Sequence, residues 1–181
     1  MTIDNNFKSN RKFYILISLV FISTFLVAQN TDYGKVSKEE LLQGFNSIDS
    51  TASAAYLYKY RKTYFNYVSG VGFSLITDVH ERIKIYNKEG FEYATQKIRL
   101  YKDGNEIEDL NKLKAKTYNL IDDKIEETPL KKDGKFKNEI SENINEESFT
   151  MPNIKEGSII EYKYSITSPF IYNVDEFIFQ H

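Results

Sequence analysis

Two histidines, His80 and His181, are the only imidazoles in the 181 residues, and cysteine is absent. Nucleophilic catalysis needs a thiolate, hydroxyl or amine held beside a base. Without cysteine, thiolate chemistry is ruled out within this chain. Serine and threonine are plentiful, but no Gly-x-Ser-x-Gly elbow sets a serine on a strand-to-helix turn. A hydrolase would therefore rest on a serine and His80. His80 lies one residue before Glu81 and two before Arg82, which reads as a surface histidine in a cross-strand pair. His181 is the last residue of the sequence and reads as a tail.

Metal and cofactor chemistry find no purchase either. No His-x-x-His, cysteine pair or Glu-x-x-His spacing occurs. "DGNEIED", from Asp103 to Asp109, spaces its carboxylates like a loop but lacks the central glycine and closing glutamate of a calcium site. No glycine-rich phosphate cradle is present, so no cofactor is expected. One surface feature invites a ligand. Tyr56, Tyr58 and Tyr60 share one parity of an alternating segment, and exposed rings stack on sugars or grip peptides. The competing reading puts the same rings in a sandwich interior.

The elements that would position these residues follow from periodicity. "AAYLYKYRKTYFNYV" alternates, which places side chains on opposite faces of a strand. "FSLITDVHERIKIY", residues 73–86, puts Phe73, Leu75, Val79, Ile83 and Ile85 on one face. Ser74, Asp78, His80, Arg82 and Lys84 fall on the other, so one face is expected dry and one wet, as in an antiparallel sheet. "NKEG" predicts a turn and "EYATQKIRLY" the returning strand. "KDGN" and "KKDGK" each carry Asp-Gly, a pair suited to tight hairpins. Two strands, "LKAKTYNLID" and "KIEETPL", are predicted to join at Asp122–Asp123. The acidic residues 137–147 read as an exposed loop. "FTMPNIKEGSIIEYKYSI" reads as a strand end, a turn through Pro152 and Gly157, and a second strand. In that strand Ile160, Tyr162, Tyr164 and Ile166 oppose Glu161, Lys163 and Ser165. "FIYNVDEFIFQH" starts a further strand. Eight or nine strands without a long helix predict an all-β, sandwich-like domain. The 14 Tyr and 13 Phe agree, since rings pack well on a pleated surface.

Before the strands, "SKEELLQGF" carries Ser37 and Glu40 at capping-box spacing and predicts a short helix over about 37–45. Farther upstream, Lys8, Arg11 and Lys12 precede an apolar run from Phe13 to Val27 and a small residue, Ala28. That pattern reads as a secretory signal over residues 1–28, the run being shorter than the roughly 20 residues of a spanning helix. The expected organisation is a signal at 1–28, a leader with a short helix at 29–52, and the β-module at 53–181. Cleavage after Ala28 leaves 21 basic and 25 acidic side chains, a balance that offers nucleic acid no positive field. Export without disulfides points to the periplasm or envelope of a Gram-negative bacterium. Membrane contact is expected only through an uncleaved signal.

Three segments, "DSTASAAYLYK", "HERIKIYNKEGFEYA" and "FTMPNIKEGSIIEYKYSITSPF", resemble successive motifs of a bacterial domain of unknown function. That domain sits N-terminal to transglutaminase-like domains in exported proteins, many from Bacteroidetes. "DEFIFQH" resembles a later motif of the same domain. The resemblance runs from about Lys35 to His181 and stops inside the family pattern, implying a module incomplete at its C-terminus. It implies an all-β sandwich without catalytic residues of its own, the catalytic Cys, His and Asp lying in the downstream domain. The expected function is a non-catalytic scaffold or substrate-positioning module, with that downstream domain as its partner. The alternative is a stand-alone periplasmic or surface protein that binds glycan or peptide through Tyr56, Tyr58 and Tyr60.

Overall fold

The computed structural model describes residues 31–70 and 72–172, and from Asp32 onward they belong to one compact unit. The signal segment, His181 and residues 173–181 of the strand expected from "FIYNVDEFIFQH" lie outside the described residues, and residues 170–172, which are described, are not in a strand. The fold is all-β, with two antiparallel sheets.

In chain order the strands are β1 Ala54–Val68, β2 Gly72–Ile85, β3 Thr95–Asp103, β4 Glu106–Ile107, β5 Asp109–Ile121, β6 Lys124–Pro129, β7 Lys135–Ser141, β8 Ile144–Thr150 and β9 Ile159–Ser168. One sheet runs β1-β2-β9-β5-β6 and the other β4-β3-β8-β7. The main core draws on both. Ile83 and Ile85 of β2, Ala115 of β5 and Ile160 and Tyr162 of β9 meet Ile98 and Leu100 of β3 and Phe149 of β8. The dry faces read from alternation are these faces, with one exception. Phe73 is 61% exposed and lies beyond Leu75, where the pairing of the last strand with β2 ends.

Several connections change sheets, and this is where local patterning misleads. After β2 the chain does not turn back. A 3-10 helix, Lys88–Ala94, carries it to the other sheet, where β3 pairs with β8. "KKDGK" likewise forms a 3-10 helix, Lys132–Gly134, between β6 and β7, rather than a hairpin. The quoted stretch ending in "IIEYKYSI" is the return path from β8 to β9. Phe149 and Met151 close the first strand inside the core, Gly157 turns at φ +84°, and the Ser158 hydroxyl donates to Asn119 Oδ1 at 2.6 Å. An Asp-Gly pair does make a hairpin at β3–β4, and Asp122–Asp123, both at positive φ, join β5 to β6 as predicted. The acidic segment 137–147 is corrected from a loop to the greater part of the β7–β8 hairpin, with β7 exposed along its length as a sheet edge.

Candidate functional site

The other face of the β1-β2-β9-β5-β6 sheet was expected to be wet, and over β2, β9 and β5 it is not. Arg82, Lys84 and Glu161 are each 0% exposed. Register brings them together: Arg82 on β2 stands opposite Glu161 on β9, whose neighbour Ile159 faces Tyr118 on β5. The cover comes from the leader. Leu41 packs on Tyr118 and Ile159, with Val36, Leu57 and Leu120 around them. Leu41 belongs to α1, Lys38–Leu42, which begins at the predicted capping box. In that box the Ser37 hydroxyl accepts from the Glu40 amide, and Glu40 Oε2 accepts from the Ser37 amide at 2.7 Å. The box thus also orients Glu40, whose Oε1 accepts from Arg82 Nη1 at 2.9 Å.

Glu161 is the hub. Its Oε1 takes His80 Nε2 at 2.9 Å, Arg82 Nη2 at 2.9 Å and Arg82 Nε at 3.2 Å. Its Oε2 accepts from the Gly34 amide at 2.9 Å and the Tyr118 hydroxyl at 3.0 Å. Burial alone would raise this carboxyl's pKa. The hydrogen bonds from His80, Gly34 and Arg82 outweigh it and hold the group below its ordinary value. Arg82 also donates to the Asp32 carbonyl at 3.0 Å, so one guanidinium ties two points of the leader to β9. Burial first, then the Glu161 charge, raises the Tyr118 phenol well above its usual range, and Tyr33 behaves likewise.

A saturated carboxylate of this kind fixes structure. His80 Nε2 faces Glu161 rather than a serine or threonine hydroxyl, so the nucleophile of a Ser–His mechanism is not at that nitrogen. Tyr58 meets the imidazole edge-on at 5.0 Å and Tyr33 at 5.8 Å, which restricts the ring further. His80 was read as a surface residue; it is 13% exposed. Lys84 is a second buried cation. Its Nζ donates to the carbonyls of Leu41 and Gly157, each at 2.6 Å, with no carboxylate among these partners. Desolvation pushes its pKa down to about 8. Among the described residues no group of three or more His, Asp or Glu side chains could hold a metal ion.

The three tyrosines do not form one stripe. A bulge between Tyr56 and Tyr58 shifts the register, so Tyr56 stands opposite Ile83 and Tyr58 opposite Arg82. Tyr56 therefore joins the side that faces the second sheet and meets Tyr93 edge-on at 6.3 Å. Tyr58 and Tyr60 stay on the Glu161 side, stacked at 6.3 Å and 7° from parallel, with Tyr60 39% exposed. Asp103–Asp109 spans the β3–β4 hairpin and the start of β5.

Glu161, Arg82 and Tyr118 were not singled out from the sequence, and Glu40 was read there only as part of a helix cap. A signal existed. Glu161 interrupts the run Ile159, Ile160, Tyr162, and Arg82 and Lys84 sit between isoleucines. Alternation labels such residues solvent-facing, and only a covering segment makes them partners.

No family profile matches the chain, and no curated protein does. Among solved structures it is similar to a "putative protease" from Parabacteroides distasonis, a member of the Bacteroidetes. The TM-score is 0.52 at 12% identity over 64% of this chain. The matched part is 23% of that protein's length. At this identity the likeness concerns the fold alone.

Proposed function

We propose that the chain is a non-catalytic N-terminal β-sandwich module of an exported, transglutaminase-like envelope protein. It acts as a scaffold that holds a downstream domain, or that domain's substrate, in position. The observation that carries this reading is the likeness of the module to one segment, 23%, of a much longer protease-like chain. The three motif segments ending in "FTMPNIKEGSIIEYKYSITSPF" support it, and the basic flank and apolar run of residues 8–28 support export to the periplasm or envelope. The Glu161 network suits a scaffold, because a charge cluster with every acceptor engaged rigidifies the sheet that carries it. In this reading bond-making belongs to the partner domain.

The test is direct. An antiserum raised against residues 32–172 should detect, in the producing cells, a polypeptide several hundred residues longer than this chain, in the envelope fraction. A product of 181 residues or fewer, or turnover of peptide or peptidoglycan substrates by the purified unit from Asp32, refutes the proposal. The parallel, partly exposed pair Tyr58–Tyr60 favours one second reading, a glycan- or peptide-binding protein. Peptidoglycan pull-down separates the two. This reading requires retention that Tyr58→Ala with Tyr60→Ala abolishes and that Tyr56→Ala, on the opposite face, leaves intact.

A further inference from the structure

We propose that the tip of the β1–β2 hairpin inserts into a phospholipid surface. The hairpin outruns its sheet. β1 and β2 pair from Ala54–Ile85 out to Val68–Gly72, while β9 accompanies β2 only from Lys84 to Leu75. Beyond Leu75 the ribbon is two-stranded. Residues 63–77, "TYFNYVSGVGFSLIT", contain no charged side chain, in a protein of which 28% is charged.

The tip is apolar on both faces. Register places Phe65, Tyr67 and Phe73 on one side, with Phe65 opposite Leu75 and Tyr67 opposite Phe73. Tyr64 and Val68 lie on the other. Phe65, Tyr67 and Phe73 are each 61% exposed, Val68 46% and Tyr64 39%. Tyr67 and Phe73 touch at 4.9 Å, so the rings form a patch rather than scattered points. A protein groove covers one face of a ribbon; a bilayer interface surrounds both. From Phe65 to Val68 a strand rises about 10 Å, the depth to which interfacial elements sink. Directly behind the tip stands the exposed Lys62, its Nζ over the Tyr64 ring at 5.1 Å and placed to meet lipid phosphates, and Phe and Tyr are side chains that settle at that boundary. The inference is independent of the proposed role in a larger protein.

Flotation with vesicles tests it. The compact unit from Asp32 to His181 is used, so that the apolar run 13–27 does not contribute. It should bind vesicles of phosphatidylcholine with phosphatidylglycerol about tenfold more tightly than vesicles of phosphatidylcholine alone. Phe65→Ser with Phe73→Ser should weaken binding about 100-fold, since each buried ring accounts for roughly a factor of ten, while leaving the urea midpoint in place. Because the chain has no tryptophan, Phe73→Trp supplies a single reporter. Its emission should shift to the blue on adding vesicles and be quenched by lipids brominated in the acyl chain. Absence of binding, undiminished binding by the Phe65/Phe73 variant, or an unquenched reporter overturns the proposal. So does self-association abolished by that variant in the absence of lipid, which would make the tip an interface between copies. Equal binding to neutral vesicles removes the role given to Lys62.

Discussion

Glu161→Gln is nearly isosteric and removes one buried negative charge. The Glu161 carboxylate accepts five hydrogen bonds, three on Oε1 and two on Oε2. A glutamine has a single acceptor oxygen, so its NH2 must face one of these sets. Facing Oε2's partners, it meets the Gly34 amide, a donor that cannot rotate away, and the Tyr118 hydroxyl, which can turn to accept. Facing Oε1's partners, it meets Arg82 and His80. Either way a buried donor is orphaned, and Arg82, 0% exposed, loses the Glu161 charge while keeping its bond to Glu40. Removing one member of a buried ion pair costs about 3–5 kcal/mol. With a urea slope of about 2 kcal/mol per molar, the midpoint should fall by about 2 M. The leader should loosen as well, so trypsin should cut after Lys35 and Lys38 several times faster than in the parent. Urea melts of Glu161→Gln, Arg82→Met and the double variant complete a cycle. The double variant should lose less than the two singles summed, by about 2 kcal/mol. Single costs below about 1 kcal/mol, or additivity within error, refute the view that this network holds the leader to the sheet.

The stability profile in alkali should be humped. Lys84, pushed down to about 8, sheds its proton in the fold before the unfolded chain does at about 10.5, so stability rises with pH in that window, by up to about 2 kcal/mol near pH 9.5. Tyr118 and Tyr162 keep their phenolic protons well above the usual 10.0, so unfolding releases protons at higher pH and stability falls again. Thermal melts from pH 7 to 11 check the sign, and a monotonic fall contradicts it. Lys84→Met exchanges a desolvated cation for an apolar chain at the cost of two carbonyl contacts. At pH 7 it should lie within about 1 kcal/mol of the parent, and it should erase the rise above pH 8. In acid, Glu161's depressed pKa contributes stability that is present above the ordinary carboxylate value and disappears as pH falls through the folded one. Glu161→Gln should therefore be less acid-sensitive than the parent in the same melts. Gly90→Ala should cost about 1–3 kcal/mol, because its Cβ would run into the Ser53 carbonyl and the Ile85 side chain, whereas Gly44→Ala, with nothing within 4 Å, should be neutral within about 0.5 kcal/mol in urea.

Strand identity was legible because a pleated chain with one buried face must alternate. β2 and β9 follow their patterns closely, β1 and β5 do so on either side of a bulge, and the Ser37–Glu40 spacing marked α1. Those are local properties, encoded within a few residues of the element they define. Apart from the β5–β6 hairpin, which strand pairs with which was not. "NKEG" and "KKDGK" have hairpin composition, yet both carry the chain to the other sheet, because the cores of two layers are completed by strands far apart in sequence. The tyrosine stripe failed for a related reason: one bulge in β1 moves every later side chain to the opposite face, and nothing in "AAYLYKY" announces it. The polar residues of β2 and β9 show the deepest limit. Alternation reports that Arg82, Lys84 and Glu161 lie away from the main core. Whether that face meets water or a second covering layer depends on where residues 32–42 settle, and only tertiary packing decides it, since the energy of a buried charge is set by partners that lie 40 to 130 positions away.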